Sequence, residues 1–441
     1  MMFKLCMLTH VLLSDCTEQY LYDDYAIGSI STGALSKAGP RRDGLRGVQH
    51  VELPHVQLAG EAFDASATVV PLPPNGSFFG IPIVRSSHDV GEPIFDPAVH
   101  LALREPSSVA LLPEFEHVDI ARVPAADSAG GSRLAYSTPF DMLSKEGVRV
   151  AHAILRREEV HAHRNHRNVE LRGLYYRSPW MRAMMNDPAL LAHLGRLAGE
   201  PIVPHMLFMD APSANFGVPQ TSVIGATVDP WHFDSVAYVG VVLVSNVEDM
   251  DGGELQILQR PTKDEAIDLI ESTLNAPPPS AIVNVSYERS GRCIFVQGSE
   301  MVHRVTRVAS APEPRMSLVM AFQPANPFQP DKTVLDTWER FDVVVGSAPY
   351  EFFRLKAHTM GSALRHLAAN EAPTRDRAGL AKKLRAIAAE LERSAALINH
   401  ETSDFIGFVD EGALDDRRRA AEARAVAREA EGPDGARGDS C

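Results

Sequence analysis

The sequence predicts a mainly β core, either a sandwich or a double-sheet jelly roll, with flanking α-helices and an α+β fold overall. Several short runs are rich in Val, Ile and aromatic residues and are bounded by Gly, Pro or Asp, as β-strands are. Few helical segments separate these runs, which favours a double-sheet fold. The strand-like runs are residues 202–209, 238–244, 293–296 and 316–322.

Helical signals lie mainly before this β-rich region. Ser144 precedes apolar residues at helical spacing, and the pairs at 178–179 and 187–188 combine an N-cap residue with proline at the first helical position. A further helix is predicted at residues 262–274, between two strand-like runs. That inserted helix is either a surface elaboration or a lid over a site.

The chain of 441 residues is expected to hold one large domain with additions. Gly and Pro punctuate residues 1–75, which are predicted to be irregular. Residues 76–345 are predicted to form the catalytic domain, with its motifs at 200–325. A helical extension is expected at 346–411, and a disordered charged tail at 412–441.

The helical extension carries a largely apolar stripe at 4-3-4-3-4 spacing. Its members are Leu380, Leu384, Ile387, Leu391, Ser394 and Ile398. Packing against the same chain and contact with a second copy in a homodimer both explain such a stripe, and the sequence leaves both open.

Composition narrows the class of partner. The chain has 43 Lys and Arg against 57 Asp and Glu, a net charge of −14. This balance disfavours nucleic acid and anionic lipid as partners, since both attract basic proteins. A small-molecule substrate is the better match. No run of 18 apolar residues is present, so we expect no membrane span.

The cysteines and the first residues bear on the compartment. Cys6, Cys16, Cys293 and Cys441 show no zinc-ligand spacing, and a reducing, cytoplasmic setting is expected. The apolar residues 3–13 follow no strong basic region and lead to no clear cleavage site. We interpret them as a terminal segment or start-site artefact, with a signal peptide as the alternative.

The most informative segment is Asp-Pro-Trp-His-Phe-Asp-Ser at residues 229–235. In a strand, residues i and i+2 point to the same face, so His232 and Asp234 project together. Trp231 and Phe233 would then face the other way and are interpreted as packing residues. One imidazole and one carboxylate supply two ligands for a metal ion.

The third ligand is predicted to be His303, 71 residues after His232. Two histidines and one carboxylate on one face of an ion leave three positions open, which suits iron(II). Arg315 follows His303 by 12 residues and shares a strand face with Ser317. A guanidinium and a hydroxyl there can bind the far carboxylate of a chelating keto-diacid.

These motifs resemble those of the 2-oxoglutarate-dependent iron(II) dioxygenase superfamily. The Gly-Gly-Glu turn at 252–254 and the segment 303–306 strengthen the likeness, which covers roughly residues 140–345. The chain resembles in particular bacterial and fungal members that act on free amino acids or related small metabolites, among them hydroxylases, carrier-independent halogenases and aziridine-forming enzymes. The resemblance implies a jelly roll (double-stranded β-helix), Fe(II), 2-oxoglutarate as cosubstrate and O2.

The resemblance also indicates the reaction. Iron would be held by His232, Asp234 and His303, and 2-oxoglutarate by Arg315 and Ser317, with no further catalytic side chain. The related halogenases have Gly or Ala at the carboxylate position, which here is Asp234. Oxidation of a small molecule, most simply hydroxylation with release of succinate and CO2, is therefore favoured over halogenation. Desaturation and ring closure remain open.

Two other histidine patterns are interpreted as incidental. His117-Val118-Asp119 repeats His-x-Asp but lacks downstream partners, and the histidines of 161–166 lie among charged residues typical of a solvated surface. Two alternative functions also remain: a cupin-like metal enzyme that does not use 2-oxoglutarate, and a non-catalytic jelly-roll scaffold.

The substrate pocket is the least defined part of the prediction. Its residues are expected from the variable segments 160–180, 211–228 and 259–290. Trp338 is either a wall of the pocket or a core residue. Arg172 and Arg177 are candidates for pairing with a substrate carboxylate.

Overall fold

The described part of the chain builds two main antiparallel sheets surrounded by helices. The chain divides into residues 1–47 and 48–441, and the description below concerns the second part. The computed structural model describes residues 53, 72–74, 76–126, 131–164, 168–217, 227–341, 345–405, 409 and 411–430.

Most strands are short. In chain order they are β1 Ser77–Phe78, β2 Ile81–Pro82, β3 Val109–Leu111, β4 Glu116–Val118, β5 Leu134–Ser137, β6 Phe140–Asp141, β7 His163–Arg164, β8 Val169–Leu171, β9 Ile202–Pro204, β10 Ser213–Gly217, β11 Asp229–His232, β12 Tyr238–Leu243, β13 Asp251–Gly252, β14 Leu255–Leu258, β15 Ile282–Val285, β16 Arg292–Val296, β17 His303–Val305, β18 Val308–Ser310 and β19 Arg315–Pro324.

The helices lie mostly outside the β-rich region. In chain order they are α1 Pro97–His100, α2 Lys145–Glu158, α3 Leu174–Arg177, α4 Pro179–Met185, α5 Pro188–Ala198, α6 Lys263–Ser272, α7 Leu335–Phe341, α8 Ala348–Asn370, α9 Arg377–Ile398 and α10 Glu411–Ala430. None of the helices in the described ranges combines the length and apolar character that crossing a membrane requires.

The larger sheet has the strand order β4-β3-β5-β16-β12-β19-β10-β8-β7, with β6 paired to β16 and β9 to β19. The smaller sheet has the order β11-β17-β14-β15. All pairings in both sheets are antiparallel. The expected α+β architecture with antiparallel sheets is thereby confirmed.

The chain alternates between the two sheets as it passes through the β-rich region. Strands β10, β12, β16 and β19 lie in the larger sheet, and β11, β14, β15 and β17 lie in the smaller one. This alternation makes β11 and β17 neighbours although about 70 residues separate them in sequence. Residues far apart in the chain therefore meet at one place in the smaller sheet.

The core is continuous from the sheets to the helices. Every residue of β12 is buried, as expected for a central strand covered on both faces. Trp180 of α4 and Leu194 of α5 belong to the same apolar cluster as Phe295 and Phe322 of the larger sheet. Burying such side chains is the main favourable contribution to folding.

The predicted helix starts are confirmed by their capping geometry. Ser144 accepts a hydrogen bond from the Gly147 amide at the start of α2. Ser178 and Asp187 cap α4 and α5 in the same way, and Thr262 caps the inserted helix α6. Side-chain oxygens thus satisfy amide groups that have no partner inside the helix.

The strand predicted at residues 202–209 is much shorter in the structure, because β9 ends at Pro204. The ring of His205 accepts a hydrogen bond from the Leu207 amide, and the Asp210 amide then bonds to the Leu207 carbonyl. These local bonds turn the chain away from the sheet. Side-chain bonds of this kind compete with a strand ladder and are not visible in hydrophobic patterning.

The C-terminal region differs from the expected disordered tail, because α10 spans Glu411–Ala430. Ala and Arg have high helix propensity. Arg418 and Arg419 also form ion pairs three residues back, with Asp415 and Asp416. Asn275 bonds to Asp415 and connects the helix to the loop that follows α6. Residues 431–441 and most of 1–75 lie outside the described part, so those expectations are not tested.

The stripe predicted on the C-terminal helix is only partly buried. In α9 the buried residues are Ile387, Glu390, Ser394 and Leu397. Leu380, Leu384 and Leu391 are exposed. Packing against the same chain therefore accounts for Ile387 and Ser394 and leaves three leucines of the stripe on the surface.

Candidate metal centre

Two histidines face each other across neighbouring strands of the smaller sheet. His232 ends β11 and His303 begins β17, and the two are direct partners in the antiparallel register. Their ring centroids lie 4.2 Å apart. Both side chains are largely buried. Sheet pairing therefore brings together residues that are 71 positions apart in the chain.

Asp234 completes the group from just beyond the end of β11. Its amide donates to the Gly298 carbonyl at 2.8 Å, which fixes the turn that follows the strand. Its carboxylate oxygens lie 3.6 Å from Nε2 of His232 and 3.7 Å from Nε2 of His303. One ligand atom from each residue lies within 4.8 Å of the others, a separation that one metal ion can span.

The hydrogen bonds of the histidine rings set their tautomers. Nδ1 of His232 lies 2.6 Å from the Pro230 carbonyl, and Nδ1 of His303 lies 3.0 Å from the Met301 carbonyl. A carbonyl oxygen only accepts, so each Nδ1 carries a proton, and in the neutral form of either ring the lone pair lies on Nε2. This arrangement is typical of histidines that bind metal through Nε2.

The electrostatic environment favours the neutral form of His303. Burial is the main cause that lowers its pKa, and the neighbouring His232 lowers it further, while Asp234 opposes both. Neutral imidazole is the form that binds metal. The donor set of two imidazoles and one carboxylate fits iron(II).

Gly298 makes room for the carboxylate. A Cβ atom at this position would lie 2.2 Å from Oδ2 of Asp234, far inside contact distance. The close approach therefore requires glycine at this position.

Arg315 lies at the start of β19, with a side chain that is almost completely buried. Its Nη1 donates to Oγ of Ser317 at 3.0 Å. Within the described part of the chain, Nη2 is buried and has no hydrogen-bond partner. Burial lowers the pKa of the guanidinium, and the nearby Tyr287 and Glu254 oppose this effect. A buried cation with an unused donor fits an incoming carboxylate.

The Gly-Gly-Glu turn shapes the path of this arginine. Gly253 has a φ of 74° and a Cβ there would lie 2.8 Å from Cδ of Arg315. Only glycine adopts that backbone region freely and leaves space for the side chain. The Gly-Gly-Glu turn is thus packed against Arg315, the residue predicted to bind the cosubstrate.

Arg315 and Ser317 lie on the cavity side of β19. Residues i, i+2 and i+4 of a strand share a face, so both share it with Val319 and Ala321. Val319 and Ala321 line a cavity of about 100 Å³ that Asp234 also lines. Of the five predicted site residues, only Asp234 lines the cavity itself. Arg315 and Ser317 lie further along the strand face that Val319 and Ala321 present to it.

The cavity is lined by charged, polar and aromatic side chains. The residues that line it are Asn168, Glu170, Arg172, Asp210, Ser213, Asn215, Phe233, Asp234, Ser235, Val236, Val239, Val319, Ala321, Thr337 and Trp338. Nε of Arg172 lies 2.6 Å from Glu170 and 3.1 Å from Asp210. Its guanidinium also lies 5.8 Å from the Trp338 ring centroid. Charged groups of both signs thus face the cavity.

Some sequence predictions about this pocket agree with the structure. Trp338 and Arg172 line the cavity, and the segment 160–180 contributes to it as expected. Arg177 does not line it, and its nearest acidic partner is Glu158 at 3.7 Å. The acidic residues Glu170, in β8, and Asp210, in a loop, were missed, because isolated carboxylates carry no spacing signal.

Phe233 corrects the expectation based on strand alternation. Trp231 is fully buried beneath Arg304, whose guanidinium lies 4.4 Å from its ring, as expected for a packing residue. Phe233, however, lines the cavity together with Asp234. The strand ends at His232, so the alternation of faces does not extend to Phe233.

The inserted helix reaches the rim of the site through its first residue. Nζ of Lys263 lies 4.9 Å from the Phe233 ring centroid and 3.4 Å from the Ser299 carbonyl. No residue of 259–290, Lys263 included, lines the cavity, which differs from the expectation that this segment contributes to the pocket. The lid interpretation stays a prediction. Of the segment 211–228, residues 218–226 lie outside the described part.

The other histidine patterns make different contacts. Nδ1 of His117 bonds to Oγ of Ser108 at 2.8 Å. His161 and His163 lie near Glu158 and Glu170, at 3.9 and 3.5 Å, and His166 is outside the described residues. Neither pattern forms a metal-like group among the described residues.

Comparisons with known proteins give one family match. Residues 139–340 match the family model of halogenase D, and this segment contains all five predicted metal and cosubstrate residues. It nearly coincides with residues 140–345, in which the sequence resemblance was found. No curated protein is similar to the chain in sequence.

Three solved structures are similar to part of the chain. The α-ketoglutarate-dependent epimerase SnoN from nogalamycin biosynthesis shares 18% identity, with 44% of this chain and 78% of that one covered and a TM-score of 0.33. HygX from Streptomyces hygroscopicus, with nickel and 2-oxoglutarate bound, shares 16%, covering 43% and 83%, with a TM-score of 0.32. A Pseudomonas putida prolyl-4-hydroxylase shares 14%, covering 43% and 92%, with a TM-score of 0.29.

Proposed function

We propose that this chain is an iron(II)- and 2-oxoglutarate-dependent oxygenase that oxidises a small polar molecule, with release of succinate and CO2; the match of residues 139–340 to the halogenase D model supports this. The single observation that carries the proposal is the convergence of His232, Asp234 and His303, whose ligand atoms lie within 4.8 Å of one another. The hydroxylation of a free amino acid or a derived metabolite is the specific reaction that we infer.

The strand order supports a double-stranded β-helix as the scaffold. The central part of the larger sheet has the order β16-β12-β19-β10, and the smaller sheet has the order β11-β17-β14-β15. The chain passes back and forth between two four-stranded layers, apart from the adjacent pair β14 and β15 within the smaller one, as in a jelly roll. The metal ligands then come from neighbouring strands at one end of the smaller layer.

In this proposal His232, Asp234 and His303 hold iron(II), and Arg315 with Ser317 binds the far carboxylate of 2-oxoglutarate. When bound, the metal and cosubstrate supply the oxidising chemistry, in which 2-oxoglutarate becomes succinate and CO2. The protein supplies orientation and exclusion of water. The Pro230 and Met301 carbonyls hold the two imidazoles, and Ser317 holds one end of the guanidinium.

The cavity favours a small substrate that carries charges of both signs. Its volume of about 100 Å³ is below the roughly 300–1,000 Å³ of pockets for drug-sized ligands. Glu170 and Asp210 can bind an ammonium group, while Arg172 and the amides of Asn168 and Asn215 can bind a carboxylate. A zwitterionic amino acid has both groups. Trp338 would then contact its apolar part.

Halogenation is the second candidate, because the matched family is that of halogenase D. In the halogenases that resemble this chain, a missing carboxylate frees a position for chloride. Here Asp234 supplies the carboxylate and lies beside both imidazoles. The structure of the site therefore favours oxygen transfer, and added chloride is expected to leave the product unchanged.

The test is formation of succinate from 2-oxoglutarate by the purified chain, with Fe(II) and a panel of free amino acids. His232→Ala and Asp234→Ala should each abolish coupled succinate formation and lower the amount of bound iron. The matched controls are His117→Ala and Asp119→Ala, which alter the second His-x-Asp pattern and should change neither quantity.

The alternatives give different outcomes. A cupin-like enzyme would bind metal through the same residues but would form no succinate. A scaffold protein would bind no iron and would tolerate His232→Ala in its biological role. Loss of iron in the His117 variant but not in the His232 variant would contradict the proposed ligand set.

A further inference from the structure

An outward face of α9 is apolar along four turns. We name it the α9 seam, and it consists of Leu380, Leu384, Ala388, Leu391 and Ala395. All five are exposed, and the three leucines expose 38%, 58% and 41% of their surface. Their spacing of 4, 4, 3 and 4 residues places them in one line on a helix.

The seam is distinct from the face by which α9 packs onto its own chain. That inner face carries Ile387 and Leu397 in apolar clusters, and Glu390 in an ion pair with Lys356. A helix on the outside of a protein usually presents polar residues to solvent. The seam borders that inner face, and the two are centred roughly 100° apart around the helix. Exposed apolar residues that continue along four turns beside the packed face indicate a further contact.

We propose that the α9 seams of two copies of this chain pack against each other in an antiparallel pair, related by a twofold axis close to Ala388. In such a pair Leu384 of one copy meets Leu391 of the other, and Leu380 meets Ala395. The small residue Ala388 lies at the axis, where the two backbones come closest. The seam is thus self-complementary, as a twofold interface requires.

The charged residues beside the seam support a second copy of this chain as its partner and favour an antiparallel orientation of the two helices. Arg385 and Glu392 lie seven residues apart on one flank of the seam, and both are exposed. Neither forms an ion pair within the described residues. In an antiparallel twofold pair this flank lies on the same side in both copies, so Arg385 of each copy lies beside Glu392 of the other. A parallel pair places the flanks on opposite sides and lacks this match.

The size of the seam sets the expected strength. Fifteen residue steps at about 1.5 Å per residue give a length of roughly 22 Å. A single helix pair of this length is smaller than a standard interface of about 800 Å² per partner. We therefore expect a dimer that dissociates on dilution.

The first test is the mass of the full chain in solution, measured by sedimentation equilibrium over a range of concentrations. The wild-type chain, 48.1 kDa as a monomer, is expected to show reversible dimers. Leu384→Glu with Leu391→Glu should raise the dissociation constant by about a hundredfold or more, because charges would face each other at the centre. Ala389→Glu adds charge on the same helix outside the seam and serves as the matched control.

The second test addresses orientation. Arg385→Glu or Glu392→Arg alone should raise the dissociation constant by about tenfold, and the double variant should restore it. Ala388→Cys should give an intermolecular disulfide that neither wild type nor Ala389→Cys forms. Thermal unfolding of each variant shows whether the fold is intact.

A wild-type chain that stays monomeric would overturn the proposal. A dimer that resists the paired Leu→Glu changes would also overturn it. Additive weakening by the two charge changes, without restoration in the double variant, would contradict the antiparallel arrangement.

Discussion

The position that a Cβ atom would occupy at Gly298 lies 2.2 Å from Oδ2 of Asp234, and the next two nearest atoms, at 2.8 and 2.9 Å, also belong to that side chain. The carboxylate thus occupies the space that any other residue at 298 would need. The same glycine accepts a hydrogen bond from the Asp234 amide through its carbonyl. Gly298 therefore determines where the proposed metal ligand lies.

Gly298→Ala is expected to displace Asp234 and lower the affinity for iron(II) by about tenfold or more, within the range found when residues that orient metal ligands are changed. The measurement is metal binding by calorimetry, with Mn(II) as an oxygen-stable substitute. In an Asp234→Gly background the clashing atoms are absent, so Gly298→Ala should then have little effect on stability.

Gly361→Ala in α8 is the control for this pair, because its nearest neighbour, Nη1 of Arg365, lies at 3.5 Å. Alanine in a helix interior should be neutral or stabilise by about 0.5–1 kcal/mol. Equal loss of stability from Gly298→Ala in both backgrounds would show that the clash with Asp234 is not the cause.

Arg315→Lys is expected to weaken 2-oxoglutarate binding by about tenfold or more and to leave metal binding unchanged. Lysine keeps the charge but loses the planar fork that binds a carboxylate and Ser317 together. Calorimetric titration of 2-oxoglutarate into the Mn(II)-loaded protein checks this. A parallel loss of metal affinity would show that Arg315 acts on the fold and not on the cosubstrate.

Lys356→Met is expected to destabilise the protein by about 3–5 kcal/mol, because it leaves the buried carboxylate of Glu390 and the partly buried one of Asp331 without their cation. Nζ of Lys356 bonds to Glu390 of α9 and lies 2.9 Å from Asp331. Denaturant unfolding measures the loss. Lys382→Met, on the exposed part of α9, should change the free energy of unfolding by less than about 0.5 kcal/mol.

His205 gives a prediction for the dependence of stability on pH. Burial lowers its pKa from 6.5 to about 4, with Lys356 contributing in the same direction and Asp331 opposing. As the pH falls from 6.5 towards 4, the unfolded chain takes up a proton that the folded chain resists, so stability is lost over this window. His205→Gln keeps a partner for Thr333 and should reduce this loss, measured as the difference in unfolding free energy from wild type.

Glu200 should show the opposite sign. Burial raises the pKa of this carboxyl to about 7, and its hydrogen bond with Tyr238 opposes the rise. Its contribution to stability is therefore present below about 4.5 and is lost as the pH rises through 7. Glu200→Gln should reduce the loss at the upper end of the range. If Glu200→Gln instead reduced the loss of stability at low pH, as His205→Gln should, the assignment would be contradicted.

Local patterns in the sequence were sufficient for the helix starts and for the central strands. Ser144 and Thr262 cap their helices as predicted, and β12 matches the predicted run except for its last residue. These features depend on neighbours within a few positions. The predicted length of β9 was wrong, because the ring of His205 accepts a hydrogen bond that a pattern of hydrophobic residues does not reveal.

In the site, too, residues within a motif could be predicted, whereas residues brought together only by tertiary packing could not. His232 and His303 could be paired in advance because their motif fixes their order and approximate spacing, and the sheet register brings them together. The pocket residues Glu170 and Asp210 could not be paired in advance, since a strand residue and a loop residue 40 positions apart meet only through tertiary packing. Phe233 was assigned to the wrong face because the end of β11 at His232 is set by the turn at Gly298.

The central claim is that His232, Asp234 and His303 bind one iron ion. It is tested most directly by anomalous diffraction at the iron edge, from crystals loaded with Fe(II) and 2-oxoglutarate without oxygen. The account predicts one strong peak at about 2.0–2.2 Å from Nε2 of both histidines and from a carboxylate oxygen of Asp234. A loaded crystal with no peak between these side chains, or with its iron at another group, would contradict it.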